Sequence, residues 1–268
     1  MLAIRRITAL LGLAAVLLMV TEPLRAQGLD LARARIVDLT HAIDRDTIFW
    51  PTQTKTFELI EEHRGLTERG FFYAANRFCL PEHGGTHIDA PFHFAKQGTM
   101  VGALPIERMV GPVAVIDVAA KAAADADYTL SVEDVTTWEG RHGRLSPGTI
   151  VLLRTGWSSR WPDKRAYLGD DTPGDASHLH FPSFGVEAVR LLIERGVTVI
   201  GVDTASIDNG PSKDFLVHRL AGAANVVGIE NLTNLEQLPA TGAWVVALPM
   251  KIARGTGAPA RVIALVPR

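Results

Sequence analysis

The feature that most limits the fold is a series of short apolar runs, each ended by turn residues: VAVIDV (Val113 to Val118), TIVLLRTG (Thr149 to Gly156), VTVIGVD (Val197 to Asp203), WVVALP (Trp244 to Pro249) and RVIALV (Arg261 to Val266). They are too short for ordinary helices and rich in β-branched residues. Continuous rather than alternating apolarity marks strands buried on both faces. Such strands need cover, and helix signals lie between some of them. LSVEDV opens with a capping-box pattern, Ser131 to Asp134, while FPSFGVEAVRLLIERG offers Ser183 as an N-cap and Gly196 as a stop. The second helix feeds VTVIGVD and leaves Asp203 at the carboxyl end of a strand. A shorter helix is expected from about Asp214 to Ala221, stopping at Gly222, with the strand NVVGIEN after it. The expected class is α/β with a mixed, many-stranded sheet. No repeat, low-complexity segment or linker divides residues 27–268, so a single domain is expected there.

At 268 residues, 47% hydrophobic and 21% charged, the chain can bury a substantial core and lacks the profile of a disordered protein. Its net charge of -2 is not gathered into blocks, which argues against nucleic acid as a partner and favours a small molecule. The N-terminus has basic Arg5 and Arg6, an apolar stretch from about Ile7 to Val20, then Pro23 and the small Ala26. That is the layout of a secretory signal peptide over residues 1–26. The stretch falls short of the ~20 apolar residues a span requires, so no stable membrane span is expected after cleavage. A periplasmic or secreted location is expected; Arg5-Arg6 leaves the Sec and Tat routes both open. Cys79 is the single cysteine, so no intrachain disulfide can form, and within NRFCLP it reads as a small buried hydrophobe.

HGGTHIDAPFHF, His83 to Phe94, carries the densest chemistry. A helix would set Asp89 nearly opposite His83 and His87, and Gly84-Gly85 and Pro91 oppose helix. In an extended chain His87 and Asp89 project to one side, as residues i and i+2 do, and the Gly-Gly bend can return His83 to them. Two nitrogens and one oxygen suit Zn²⁺, Mn²⁺ or Fe²⁺. His93 would lie on the order of 13 Å beyond Asp89 in an extended chain. Unless the chain curls back it sits beside the metal, where an imidazole is a candidate proton shuttle. Downstream, VHRLAGAANVVGIENL offers His218 on the short helix and Glu230 at the end of the next strand, which could complete one site or a bridged pair.

With these residues in view, the chain resembles the cyclase family of metal-dependent hydrolases, whose members include bacterial kynurenine formamidases and isatin hydrolases. HGGTHIDAPFHF matches that family's H-x-G-T-H-x-D-x-P-x-H signature. Further likeness lies in VDLTHAI (Val37 to Ile43), FWP (Phe49 to Pro51), GVDTASID (Gly201 to Asp208), the His218 and Glu230 pair, and GTGAPARVIAL (Gly255 to Leu265). The resemblance implies a barrel-like or swivelling β/β/α arrangement in a homodimer or higher homo-oligomer. It implies that His83, His87 and Asp89 bind metal and that His218 and Glu230 join them where a second ion is present. One or two ions per subunit, Zn²⁺ or Mn²⁺, are thus expected. His93 would be the general acid/base, and Trp50, which precedes a proline, a substrate contact. The implied reaction is hydrolysis of an amide C–N bond in a small aromatic substrate, an arylformamide or a cyclic amide, with metal-bound hydroxide as nucleophile.

Flat substrates call for aromatic neighbours, and Phe49, Phe71, Phe72 and Tyr73 are further candidates. Ser206 has no nucleophile elbow around it, and GVDTASID reads better as a segment that orients ligands through hydrogen bonds. His178 and His180 are expected in a loop or cap; His41, His63 and His142 have no evident partner. The segments HRGLTERGFFYAANRF and SSRWPDKRAYLGDDTPGDASHLH depart from the formamidases. The competing class is a non-catalytic periplasmic metal- or ligand-binding protein, which would need His83, His87 and Asp89 but have no use for His93.

Overall fold

A computed structural model describes residues 33–268; the expected signal peptide lies outside them. The strands are β1 (Arg35–Asp38), β2 (Glu58–Leu66), β3 (Phe72–Cys79), β4 (His87–Asp89), β5 (Val110–Asp117), β6 (Thr129–Leu130), β7 (Ile150–Arg154), β8 (Ser183–Phe184), β9 (Val199–Val202), β10 (Val227–Glu230), β11 (Trp244–Pro249) and β12 (Gly257–Val266). The helices are α1 (Ala119–Ala124), α2 (Val132–His142), α3 (Lys164–Leu168), α4 (Val186–Glu194) and α5 (Leu216–Ala223). Among these residues no helix is long and apolar enough to cross a membrane.

The main sheet runs β1-β12-β11-β5-β7-β9-β10-β4, and β4 pairs again with β12. Seven strands therefore close into a ring, with β1 attached outside at β12. The central strands β5, β7, β9 and β10 are parallel neighbours, and the remaining pairings are antiparallel. This is the mixed, barrel-like α/β architecture that the apolar runs and the family resemblance led us to expect.

Two apolar clusters explain why those runs are continuous. Val113, Val115, Ile150, Leu152, Val199 and Val245 fill one cluster within the ring. Their neighbours Ala114, Ile116, Val151, Leu153, Ile200 and Val202 face outward and are capped by Val135 and Trp138 of α2, Val189 and Leu192 of α4, and Val217 of α5. At about 1.5–3 kcal/mol for each fully buried Val, Leu or Ile, these clusters outweigh exposed ion pairs such as Arg261–Asp38, whose kind contributes about 0–1 kcal/mol.

Helix α2 starts as expected. Ser131 Oγ accepts from Asp134 N at 3.1 Å, and Asp134 Oδ2 accepts from Ser131 N at 2.9 Å. Three other helix ends differ. Ser183 does not cap α4: it lies in β8, its hydroxyl donates to Ser206 O at 2.6 Å, and Gly185 takes the N-cap position. Helix α5 starts at Leu216 rather than Asp214, because a distant carboxylate, Asp208, accepts from Val217 N and His218 N. Gly222 lies within that helix rather than ending it. Its bare Cα is what the packing requires, since a Cβ there would come within 3.0 Å of Pro91 O.

β2 and β3 form a separate hairpin off the ring. Its standing off corrects two expectations. Cys79 is exposed rather than buried. Phe71, Phe72 and Tyr73 are exposed rather than pocket-lining.

Candidate metal centre

The centre is built on β4, a three-residue strand paired on both sides. Its His87 and Asp89 share a face, as the extended reading required, with Ile88 buried on the other side. Across the antiparallel pairing with β10, Glu230 stands directly opposite His87, which places its side chain on the same face. A residue 143 positions away in the chain thus joins the motif through strand register. Gly85, at φ 59°, supplies the left-handed bend, and Gly84 lies flat under Phe49, where a Cβ would fall 2.0 Å from the ring. That bend returns His83, whose Nδ1 lies 2.6 Å from Asp89 Oδ1.

His218 reaches in from α5. Its Nδ1 donates to Asp208 Oδ2 at 2.7 Å, and its Nε2 faces Asp89 Oδ2 at 3.0 Å and Glu230 Oε1 at 3.2 Å. His87 Nδ1 donates to Gly85 O at 2.9 Å, so its Nε2 is left facing Asp89 Oδ1 at 3.1 Å and Glu230 Oε2 at 3.5 Å. Two sets of donor atoms converge: His83, His87 and Asp89, and Asp89, His218 and Glu230. Asp89 belongs to both, with one oxygen toward each.

The electrostatics fit a cation. His87 Nε2 is buried with no hydrogen-bond partner, and it points at carboxylate oxygens. Burial opposes charging this imidazole, yet Asp89 and Glu230 outweigh it and push its pKa up to about 9. Burial would likewise raise the Asp89 carboxyl, but the imidazoles around it hold it well below the usual carboxylate range. Positive charge is what the cluster lacks, and mixed nitrogen and oxygen donors suit a divalent ion.

His93 is brought back by a single 3-10 turn over Pro91–His93, with His93 N donating to Ala90 O at 2.8 Å. Its ring stacks on His83 at 3.9 Å and lies 6.0 Å from His218. Burial pushes its pKa down to about 4 against the opposing pull of the Asp89 carboxylate, with the nearby imidazoles adding to the fall, so at neutral pH the ring is uncharged. The adjoining cavity, about 480 Å³, is lined by Trp50, Phe94, Phe215 and the donor cluster. Trp50 meets Phe215 at 6.0 Å and the edge of Phe181 at 6.4 Å.

The other candidates fall elsewhere. Within GVDTASID, Asp208 orients His218, but Asp203 accepts from Thr155 N, Thr155 Oγ1 and Gly156 N and holds the turn after β7 instead. Ser206 lines the cavity, and its hydroxyl accepts from Asp208 N. His180 sits in a loop against Asp127 with His178 exposed nearby, and His41 stacks on Trp161 at 4.2 Å. His63 lies on the hairpin and His142 ends α2. Four participants were not singled out by sequence: Asn231, whose amide donates to Gly85 O; Tyr167, whose hydroxyl donates to Asn231 Oδ1; and the cavity residues Phe94 and Phe215. Phe94 and Asn231 directly follow His93 and Glu230 in the chain, which was the one available signal.

A closed mixed barrel with three imidazoles and two carboxylates gathered into two donor sets that share Asp89, beside an uncharged histidine and an aromatic cavity, defines a metal-dependent hydrolase. The chain belongs to the cyclase family: the Cyclase family model matches residues 37–209. It is 34% identical over 247 residues to the isatin hydrolase of Roseibium aggregatum, covering 87% of this chain and 92% of that protein. It is 27% identical over 228 residues to the kynurenine formamidase of Salinibacter ruber, covering 85% and 96%. A crystal structure of an isatin hydrolase bound to the product analogue thioisatinate superposes with a TM-score of 0.81 at 33% identity, covering 88% of this chain and 94% of that one.

Proposed function

We propose that the chain hydrolyses the amide C–N bond of a small aromatic substrate, either an arylformamide such as N-formylkynurenine or a cyclic amide such as isatin. The observation that carries this reading is the pairing of the donor cluster with His93, 3.9 Å from His83 at the cavity wall. His83, His87 and Asp89 would hold one divalent ion, with His218 and Glu230 joining them for a second; Zn²⁺ and Mn²⁺ both suit the donors. When bound, the ion supplies Lewis acidity and lowers the pKa of water to about 7.

The chain's own residues do the rest. Asp208 fixes the ring of His218, and Gly85 O fixes that of His87, so both turn Nε2 inward. Trp50, Phe94 and Phe215 offer flat faces for an aromatic ring. His93 takes a proton from the attacking water and passes it to the departing nitrogen, otherwise a poor leaving group. Cleavage of formylkynurenine then releases formate, and cleavage of isatin opens its five-membered ring to isatinate. A protein that only bound metal or ligand would have no use for His93 at this place. The test is metal analysis followed by side-by-side assays on N-formylkynurenine and isatin. We expect turnover of at least one, abolished by a chelator; failure of the metal-loaded protein on both removes this substrate class.

We also infer a homodimer or higher homo-oligomer built through the β2–β3 hairpin. Leu59, Leu66, Phe71, Phe72, Tyr73 and Phe78 on this arm are each 50–74% exposed, and a lone two-stranded hairpin is marginal in water. Their exposed area is on the order of 600 Å². Two copies burying each other's arms reach roughly 1,200 Å², the lower bound for a stable interface. Leu66 and Phe72 are cross-strand partners. Changing both to Glu should bring the mass seen by light scattering down to that of a single chain, and a wild-type chain that is monomeric at micromolar concentration would sink the idea.

A further inference from the structure

The GTG of GTGAPARVIAL, Gly255 to Gly257, has no part in the chemistry so far. We propose that Glu82 and Thr256 are positioning residues that set the tautomer of His83, so that it turns Nδ1 rather than Nε2 toward the ion. The inference rests on the reading of His83 as a ligand.

The hydrogen bonds leave little freedom. Glu82 Oε2 receives Thr256 N at 2.9 Å and lies 2.6 Å from Thr256 Oγ1. A carboxylate only accepts, so the single hydroxyl proton of Thr256 is donated to Glu82. Thr256 Oγ1 also lies 2.8 Å from His83 Nε2. With its proton already committed, the hydroxyl can only accept there, and His83 Nε2 must carry hydrogen. Nδ1 is then the nitrogen aimed into the cluster, 2.6 Å from Asp89 Oδ1; a carboxylate only accepts there too, so Nδ1 is where a cation would take the place of a proton. His87 and His218 have the opposite arrangement, each donating from Nδ1, to Gly85 O and Asp208, and turning Nε2 toward the carboxylates. The cluster therefore contains one imidazole presented by the nitrogen nearer its Cβ and two presented by the farther one.

The flanking glycines make this possible. A Cβ at Gly257 would fall 2.5 Å from His83 Cε1 and 2.6 Å from Ile88 O, and one at Gly255 would fall 2.8 Å from Glu82 Oε1. Gly257 is also the β12 partner of Asp89. The backbone leading into β12 is thus bare on both sides of Thr256, and the Glu82 and His83 side chains lie against it. A carboxylate–hydroxyl–imidazole chain of this kind orients a ligand and raises its basicity, as outer partners of metal-bound histidines do.

The test uses zinc, which is diamagnetic, with affinity measured by competition against a chromophoric chelator. Thr256→Val should weaken zinc binding about 10–100-fold while Thr256→Ser stays within about threefold of wild type, the range that outer partners of metal ligands command. Melting temperatures of the metal-free variants identify any that have merely failed to fold. Nitrogen-15 NMR of the zinc-loaded wild type should show hydrogen on His83 Nε2 and a metal-shifted Nδ1. Equal affinity of wild type and a folded Thr256→Val, or zinc on His83 Nε2, overturns the proposal. A wild type that takes up no zinc, manganese or iron would instead refute the metal reading beneath it.

Discussion

His93→Ala should purify with its full complement of metal and lose turnover by about 10²–10⁴-fold, the span a positioned proton-transfer group contributes. Both halves follow from position. The His93 ring is absent from the two converging donor sets, yet it stacks on His83 and borders the cavity. Its own placement comes from the local Pro91–His93 turn, so its removal leaves the pairing of β4 untouched. Elemental analysis and steady-state rates on one preparation separate the two effects. Intact turnover would remove His93 from the proton path; lost metal would make it a ligand or a prop for one.

Asp89→Asn is the complementary case, and its loss should begin with the metal. Asp89 is the one residue shared by both donor sets, and its two oxygens face three imidazoles. The amide has the same shape but no charge, and its NH₂ would donate to an imidazole lone pair that the ion needs. Since outer partners alone are worth 10–100-fold in metal affinity, loss of this central ligand should cost ~100-fold or more. The variant should emerge from dialysis nearly metal-free and inactive. His87→Ala should behave likewise, but it also opens a buried gap; Asp89→Asn keeps the volume. Retention of wild-type metal content by Asp89→Asn would mean that the ion sits elsewhere.

The local features were legible. The i, i+2 geometry of His87 and Asp89, the Gly-Gly return of His83 and the capping box of α2 all depend on residues within a few positions of one another. Buried strands could also be recognised, because cover on both faces removes polar alternation. What sequence could not give was register between distant segments. That Glu230 falls opposite His87, that Gly257 falls opposite Asp89, and that β4 closes the ring between β10 and β12 are facts of pairing. Helix α5 was misplaced at its start for the same reason, its first N–H groups being satisfied by Asp208 rather than by a neighbour. The curl that returns His93 rests on one turn at Pro91, and an extended-chain estimate missed it. The hairpin aromatics were misjudged because an arm that leaves the body has the same apolar composition as a strand that fills it.

The short strand β4 gives the molecule a division of labour. The three residues that complete the ring, held on both sides, also bear His87 and Asp89, so the circumference of the barrel and the spacing of the donors are one dimension. A change in girth would pull the donors apart, and a change in the donors would slacken the girth. Variation in what is accepted must therefore arise where the cavity is walled by chain outside the ring: the segment carrying Trp50, Phe94 after the Pro91–His93 turn, and Phe215 ahead of α5. Chemistry is inherited with the hoop, and taste is acquired in its attachments.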